Sequence, residues 1–217
     1  MILVFLGPPG SGKGTQAKML AEKLKIPHIS LGDILREEVR QGSDIGKRAR
    51  EFMDAGKLVP DELTIELTRK RISDPDCMSG CIIDGFPRSA VQAEAFDNML
   101  DEMKLELGKV IYFKVDKEQV VERLSGRRSC KNCGAVFHVK YKRPKVENKC
   151  DLCGGELYQR KDDEEKAIRT RFEVYAEQTK PLIERYQKQN KLAAIDAGGS
   201  IESVFSRLLS VVGYGRN

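Results

Sequence analysis

The composition of this chain is that of a globular protein with room for a full hydrophobic core. It has 217 residues, of which 33% are charged and 6% are aromatic, and 38 basic against 33 acidic residues give a net charge of +5. So small a basic excess suits a pocket for polyphosphates as well as a nucleic-acid surface, so charge does not choose between these partners. No uninterrupted apolar run approaches the roughly 18 residues of a membrane-spanning helix, which excludes such a helix.

The first apolar run does not have the form of a signal peptide. It covers residues 2–6, stops at Gly7-Pro8-Pro9, has no basic stretch before it and no small-residue cleavage site after it. We therefore expect the chain in the reducing cytoplasm, where paired thiols indicate metal or redox chemistry rather than disulfides.

Short apolar runs alternate along the chain with segments of helical period. The predicted strands cover residues 1–6, 28–30, 81–84, 110–115 and 193–196. Apolar stripes at helical spacing predict helices that begin near Ala17, Val91 and Ile201, the last with Ser200 as its N-cap. Strands that alternate with helices predict an α/β fold, in which a doubly wound parallel sheet carries helices on both faces.

The first strand runs directly into a glycine-rich segment and then into a helix. The spacing Gly7-x-x-x-x-Gly12-Lys13 within GPPGSGKGT is that of a P-loop, which requires this strand-loop-helix context. Glycines let backbone N–H groups approach phosphates, the helix N-terminus adds a positive dipole end, and Lys13 adds a full charge. Gly14 stands where Ser or Thr usually follows the lysine, with Thr15 one position later, so the usual magnesium ligand is displaced.

Two segments interrupt the alternation of strands and helices. Residues 31–60 are polar and helical, with Gly42, Gly46 and Gly56 between the helical stretches. Residues 127–163 hold four cysteines among many charges and have little helical period. We predict that both are insertions into the sheet domain.

The sequence offers cations for phosphoryl transfer but no nucleophile paired with a base. The two histidines, His28 and His138, form no Ser–His–Asp or Cys–His pattern, and an acceptor that is already an ionised phosphate needs no base. Arginine suits such a site because its planar fork pairs two phosphate oxygens. Asp84 ends an apolar strand, where it can orient the hydration shell of Mg²⁺ or act as a cap or turn residue. Asp33 is a second candidate for that shell, or the N-cap of a helix over residues 34–39.

Two CxxC pairs predict a metal site in the second insertion. Cys130-x-x-Cys133 and Cys150-x-x-Cys153 are separated by sixteen residues, which is the spacing of a four-thiolate zinc ribbon. Four protein ligands leave no open position, so the metal is structural and supplies stability that a segment with few apolar residues lacks. Disulfides or unligated thiols are the alternatives for these cysteines, and iron can replace zinc during expression.

Several motifs, in a shared order and spacing, connect the chain with one family. They are GPPGSGKGT and DGFPR, together with SLGDILR, GKLVPDE, RLSGRR and the acidic pair Asp162-Asp163. On these motifs the chain resembles, over essentially its whole length, the adenylate kinases, specifically bacterial members with a zinc-binding lid. The resemblance implies a cytoplasmic monomer that moves a phosphoryl group from Mg²⁺-bound ATP to AMP and forms ADP, with no nucleic-acid or membrane partner. A lid that closes over both nucleotides excludes water.

The resemblance also implies domains and roles at numbered positions. The implied domains are a core at 1–29, 60–125 and 164–217, an AMP-binding domain at 30–59 and a zinc-binding lid at 126–163. The residues implied for ATP are Gly10, Ser11, Gly12, Lys13, Gly14, Thr15, Arg123, Arg127, Val136, Phe137 and Gly199. The residues implied for AMP are Leu31, Arg36, Lys57, Leu58, Val59, Gly85, Phe86, Pro87, Arg88, Gln92, Arg160 and Arg171. The residues implied for catalysis are Lys13, Asp84, Arg88, Arg123, Arg127, Arg160 and Arg171.

One position departs from the family pattern and bears on base selectivity. The usual Thr of S-T-G-D, which lies against the AMP base, is Leu31 here. A kinase for a different nucleoside monophosphate is therefore an open alternative. A nucleic-acid-binding zinc ATPase is another, although basic residues interleaved with acidic ones and the lack of an aromatic platform disfavour it. A purely structural zinc protein leaves the P-loop unexplained.

Overall fold

A five-stranded parallel sheet forms the centre of the computed structural model, which describes residues 1–213. The last four positions of the core segment expected at 164–217 lie outside this range. The strands of the described residues are β1 (Ile2–Leu6), β2 (His28–Ser30), β3 (Cys81–Asp84), β4 (Leu107–Lys114), β5 (Arg127–Cys130), β6 (Val136–His138), β7 (Leu157–Tyr158) and β8 (Leu192–Asp196). The order β2-β3-β1-β4-β8, with every pair parallel, confirms the predicted α/β fold.

Helices cover both faces of this sheet. The α-helices of residues 1–213 are α1 (Lys13–Leu24), α2 (Leu31–Gln41), α3 (Asp44–Asp54), α4 (Asp61–Ile72), α5 (Ala90–Glu102), α6 (Lys117–Ser125), α7 (Glu165–Val174), α8 (Pro181–Lys188) and α9 (Ile201–Val212). Alternate residues of β1 pack on opposite sides, because Val4 shares a core cluster with Phe96 of α5 whereas Leu3 and Phe5 share one with Leu208 of α9. Burial of each large apolar side chain contributes about 1.5–3 kcal/mol, so the sheet is a rigid base for the loops at its end.

The position of β1 places the loop that follows it where ligands bind in such sheets. β1 lies between β3 and β4, and the chain passes from β1 to β2 on one side of the sheet before it returns to β4 on the other. The strand order therefore reverses at the carboxyl end of β1, which opens a crevice there. Phe5 lies in register with Asp84, so the loops after β1 and β3 emerge next to each other.

Two element boundaries differ from those expected from the sequence. β4 begins at Leu107 rather than at 110, because a shift in register between Ile2 and Leu3 lets β1 continue to pair beyond the apolar run. α2 begins at Leu31, and Ser30 caps it by accepting from the N–H of Asp33 at 3.3 Å. Of the two alternatives for Asp33, the N-cap of a helix over 34–39 is therefore excluded, whereas Ser200 caps α9 as predicted.

Two small units project from the sheet domain. α2 and α3 pack so closely that a Cβ on Gly46 would collide with the backbone of Glu38. β5, β6 and β7 form a separate antiparallel sheet in the order β6-β5-β7, with a small core of its own. Among residues 1–213, no helix combines the length and apolar content needed to cross a bilayer.

Candidate active site

The loop between β1 and α1 folds around glycines. Gly7, Gly10 and Gly12 have φ angles of 149°, 79° and 93°, which L side chains rarely adopt. A Cβ on Gly10 would also lie 2.9 Å from side-chain atoms of Val120 and Leu124. Any side chain here would strain the loop, which surrounds the N-terminus of α1, where backbone N–H groups and the helix dipole favour anions.

The side chain of Lys13 forms hydrogen bonds within this loop. Its Nζ donates hydrogen bonds to the carbonyl oxygens of Gly7 at 2.8 Å and Pro8 at 2.9 Å, and to Ser11 Oγ at 3.2 Å. Burial lowers the pKa of Lys13 to about 8, although the carboxylate of Asp84 acts in the opposite direction. At neutral pH the buried ammonium therefore stays charged and available to phosphate oxygens.

Asp84 lies at the end of β3, beside the phosphate loop. Burial raises its pKa, but the neighbouring His28 and the charge of Lys13 outweigh burial and hold the pKa below its usual range. A Cβ on Gly14 would lie 3.2 Å from Asp84 Oδ2. Gly14, where other P-loops carry Ser or Thr, therefore leaves room for an ionised carboxylate, the kind of oxygen ligand that Mg²⁺ and its water shell prefer.

Arg88 follows β3 in a loop with a cis peptide bond between Phe86 and Pro87. Its Nε donates to the carbonyl oxygen of Gly85 at 2.8 Å, and its own carbonyl oxygen accepts from Thr179 Oγ1 at 2.8 Å. Burial is the main cause that lowers the pKa of this guanidinium. Arg88 is thus a desolvated cation that the protein fixes at Nε and at its backbone.

Two carboxylates join the small sheet to the large domain through arginines. Asp163 is fully buried and accepts from Arg127 Nε at 2.6 Å, from Arg127 Nη2 at 2.5 Å and from Arg171 Nη1 at 3.2 Å. Arg171 Nη1 also lies 2.8 Å from Asp162 Oδ2. Because Arg127 lies in β5 and Arg171 in α7, these ion pairs connect the two parts of the chain.

Arg160 and Arg36 extend this group of cations. Arg160 Nε donates to Ser129 Oγ at 2.6 Å, and Arg36 Nη2 pairs with Asp33 Oδ1 at 2.6 Å. Burial, followed by the charges of Arg36 and Arg127, lowers the pKa of Arg160 to about 9. Like charges crowd together here, so a bound polyanion would relieve their repulsion.

A pocket opens beside these cations, between the loop after β3 and the α2–α3 unit. Its lining consists of Leu31, Gly32, Leu35, Arg36, Met53, Gly56, Lys57, Leu58, Val59, Thr64, Gly85, Arg88, Gln92, Asp162 and Arg171. Most of the positions expected to hold AMP are among them. Phe86, Pro87 and Arg160 are not part of this lining, and Phe86 is fully buried in the core instead.

The side chain of Gln92 is held by residues that the sequence did not single out. Its Oε1 accepts from the backbone N–H of Arg88 at 2.7 Å, and its Nε2 donates to Asp61 Oδ1 at 2.7 Å and Thr64 Oγ1 at 3.2 Å. Ser89 Oγ donates to the same Asp61 carboxylate. Gln92 therefore lines the pocket in one fixed orientation. The position of Asp61 within the GKLVPDE motif is the sequence feature that could have identified this partner of Gln92.

None of the positions expected for ATP lines the pocket, and three of them lie in other parts of the fold. Arg123 Nη2 donates to the carbonyl oxygen of Ala197 at 3.0 Å, in the loop that contains Gly199. Val136 and Phe137 lie in β6, and the Phe137 side chain is buried in the core of the small sheet. Phe137 can therefore offer only its backbone to a ligand. Gln16, which the sequence did not indicate, also supports the Gly199 loop because its Nε2 donates to the carbonyl oxygen of residue 201 at 2.9 Å.

The four cysteines predicted as metal ligands converge. Their Sγ atoms all lie within 4.8 Å of one another, with Cys130–Cys153 and Cys133–Cys150 separated by 3.5 Å. A tetrahedral Zn²⁺ with Zn–S bonds of about 2.3 Å holds its sulfurs about 3.8 Å apart, so the donor set fits such an ion. A backbone hydrogen bond from Cys133 is the main cause that lowers the pKa of the Cys130 thiol. A backbone hydrogen bond from Gly155 acts to lower the pKa of the Cys153 thiol, but hydrogen bonds with the Cys133 and Cys130 thiols outweigh it, so that this pKa is raised.

Comparison with known proteins agrees with this geometry. The family model described as "Adenylate kinase" matches residues 5–191. A protein of Archaeoglobus fulgidus named adenylate kinase is 51% identical over 212 residues, 98% of each chain. One of Clostridioides difficile with the same name is 49% identical over 216 residues, which is 100% of each chain. The chain therefore belongs to the adenylate kinase family.

Proposed function

We propose that this chain transfers a phosphoryl group reversibly between ATP and AMP and forms two molecules of ADP. The observation that carries the proposal concerns Arg88. This half-buried cation lines the pocket and is also close enough to lower the pKa of Lys13 in the phosphate loop. A phosphate bound in the pocket and a polyphosphate bound in the loop would therefore be neighbours, as direct transfer requires.

The phosphate loop is the site we assign to ATP. Residues 10–15 would bind its phosphates through backbone N–H groups and Lys13, and Arg123 would meet the nucleotide beside the Gly199 loop. Val136 and Phe137 would add backbone contacts. When bound with ATP, Mg²⁺ neutralises charge on the β- and γ-phosphates, and Asp84 is the carboxylate placed to hold its water shell.

The pocket is the site we assign to AMP. Arg36, Arg88 and Arg171 would bind the phosphate, and Gln92 would face the base. Leu31 is buried to 3% exposure in the same pocket, in the place of the family's threonine. An apolar side chain there offers the base packing without a hydrogen bond, which keeps a different nucleoside monophosphate as the second candidate.

The reaction needs positioned cations rather than a base, because the attacking oxygen is already ionised in AMP. Lys13, Arg88, Arg123, Arg127, Arg160 and Arg171 are the cations we assign to the transfer. Their charges would balance those of the nucleotides while an AMP phosphate oxygen bonds to the γ-phosphorus of ATP and the β–γ bridging oxygen leaves with the negative charge, as part of ADP. Water is the competing acceptor, so the cage must also be closed to solvent.

We propose that the small units are the moving parts that close the site. The division we propose is a core at 1–29, 60–125 and 164–217, an AMP-binding domain at 30–59 and a lid at 126–163. Lys161 Nζ lies 3.0 Å from Asp54 Oδ2, and Arg40 Nη1 donates to the carbonyl oxygen of Asn132 at 3.4 Å. These contacts between lid and AMP-binding domain are at the surface, where ion pairs are weak enough to open and close.

Zinc is the metal we assign to the four cysteines, in a structural role, since four thiolates would fill its coordination shell. The small core of the lid contains two of these cysteines with Phe137 and Leu157, so metal binding would contribute much of the stability of the lid. We further propose a monomer in the cytoplasm without a nucleic-acid partner. The interleaved acidic and basic residues of the sequence support the absence of a nucleic-acid partner.

A substrate panel with resolved products tests the function. Purified protein with Mg²⁺-ATP is given AMP, GMP, CMP or UMP, and the nucleotides are separated by chromatography. We expect ADP from AMP as the main reaction. Faster conversion of another monophosphate would replace the substrate assigned here, and no conversion by folded, zinc-loaded protein would refute the kinase assignment.

A pair of arginine variants tests whether the pocket performs this chemistry. Arg88→Ala removes a half-buried cation that lines the pocket and should lower kcat/KM at least about a hundredfold, as the loss of a preorganised charge does. Arg169→Ala is the matched control, because the Arg169 side chain is 74% exposed and forms a surface ion pair with Glu165 one turn away. Equal activity of the two variants would contradict the assigned site.

A further inference from the structure

The serine in the middle strand of the lid sheet has a polar contact to which the proposed function assigns no role. Ser129 lies in β5, opposite Val136 on one side and Tyr158 on the other. The residue is 2% exposed, and its Oγ accepts from Arg160 Nε at 2.6 Å. A buried hydroxyl and a buried guanidinium both cost free energy unless they are hydrogen-bonded, so each fixes the other.

The side chain of Arg160 has no other hydrogen-bond or ion-pair partner among residues 1–213. It is 7% exposed, yet neither of its terminal nitrogens bonds to a protein atom of this range. Asp33 and Asp162 attract its charge at longer range, whereas Arg36 and Arg127 repel it. A desolvated guanidinium whose two terminal nitrogens are unbonded is arranged to receive an anion.

Arg88 has the same arrangement with a different anchor. Its Nε donates to the carbonyl oxygen of Gly85, and its terminal nitrogens bond to no atom of the described residues. Arg127, by contrast, uses both Nε and Nη2 on Asp163. In both Arg88 and Arg160, therefore, Nε is hydrogen-bonded within the protein, and the two terminal nitrogens have no partner among the described residues. The anchor of Arg88 is a backbone carbonyl, which any residue supplies, but the anchor of Arg160 is a side chain that substitution can remove.

We propose that Ser129 is a positioning residue for phosphoryl transfer, because its hydroxyl fixes the plane of the Arg160 guanidinium with the fork toward the transferred group. This inference rests on the proposed kinase function. A long arginine side chain has many rotamers, and a hydrogen bond at Nε removes those that turn the fork away. A cation held in place before the reaction stabilises the transition state more than one that must first reorient.

The test compares two substitutions of nearly equal shape. Ser129→Thr keeps the hydroxyl and Ser129→Val replaces it with a methyl group, and both β-branched side chains suit a strand. The full chain is prepared with zinc, and kcat and both KM values are measured with ATP and AMP. Zinc content and the melting temperature are measured on each variant, so a change in the lid itself is detected.

We expect the hydroxyl to affect kcat. Ser129→Val should lower kcat about tenfold and leave both KM values within about twofold, since it misaligns an interaction used mainly in the transition state. Ser129→Thr should retain most of the wild-type kcat. In an Arg160→Lys background, which has no Nε–H to anchor, Ser129→Val should cause no further loss, as a double-mutant cycle of coupled residues requires.

Three outcomes would overturn the inference. The first is equal kcat for the Thr and Val variants, whatever their stability. The second is a loss in the Val variant that appears equally in the Arg160→Lys background. The third is a rise in KM alone, which would make Ser129 a residue of ground-state binding. An inactive wild-type protein would refute the proposed function instead, so the two failures are distinguishable.

Discussion

Removal of one buried charge should show how strongly the arginine cage depends on its carboxylates. The perturbation is Asp163→Asn, which keeps the shape of the side chain and removes its charge. Asp163 is fully buried and is the acceptor of two hydrogen bonds from Arg127 and one from Arg171. In the variant, the guanidiniums of Arg127 and Arg171 stay largely shielded from water but lose one negative charge that balances them.

The magnitude follows from these contacts. Loss of one partner from a buried ion pair costs about 3–5 kcal/mol, because the remaining charge is left uncompensated. Oδ1 of Asp163 accepts two of the three hydrogen bonds, and an amide oxygen in its place would keep both. We therefore place the loss of unfolding free energy near the lower limit, at about 3 kcal/mol. For a chain of this size that corresponds to a fall in melting temperature of about 9 °C.

The assay is urea unfolding at fixed zinc concentration, followed by circular dichroism, with the same variant also melted by heat. Asp44→Asn is the matched control because its side chain is 96% exposed and its pairing with Lys47 is a surface contact. The control should match the wild type. An Asp163→Asn protein as stable as that control would refute the reasoning that the buried carboxylate compensates the two arginines.

Three further predictions concern charge, base selectivity and metal. The kcat/KM for Mg²⁺-ATP should fall as pH rises through about 8, where Lys13 loses its proton in the free protein, and Lys13→Arg should move this fall to higher pH. Leu31→Thr should lower KM for AMP relative to the other monophosphates if position 31 sets base selectivity, and an unchanged ratio in the substrate panel would exclude that role. Zinc chelation, or Cys133→Ser, should lower kcat at least tenfold and lower the melting temperature of the lid, while the far-UV circular dichroism of the sheet domain persists. Unfolding of the lid and the sheet domain in a single transition would contradict separate folding of the lid.

Features encoded by short contiguous patterns were predicted from the sequence. The apolar runs of β1 and β3, the glycine spacing around Lys13 and the two CxxC pairs are local signals, and the structure places them in one sheet and one cysteine cluster. The N-cap of α2 could not be assigned from the sequence, because Ser30 and Asp33 are both good N-cap residues and only the backbone geometry separates them.

Contacts between residues distant in the chain could not be predicted in this way. Ser129 and Arg160 are 31 positions apart, as are Asp61 and Gln92, and in both pairs the hydrogen bond depends on the folded sheet and helices. The π-helix over Tyr175–Thr179, whose Thr179 holds the Arg88 carbonyl, also left no pattern in the sequence. Nothing in the local sequence distinguishes such residues from other polar residues, because their partners lie far away in the chain.

The small sheet of β5, β6 and β7, which we propose as part of the lid, has an apolar core separate from that of the large sheet, so the stabilities of the two parts can differ. The sheet domain rests on two extensive apolar clusters, whereas the lid rests on a cluster of four buried residues, two of which are cysteines of the metal site. A substitution in the proposed lid, or a change in the supply of metal, can thus change the melting temperature of the lid. The melting temperature of the sheet domain would change less. Related chains can therefore differ in the temperature at which the lid unfolds while the phosphate loop in the sheet domain stays the same.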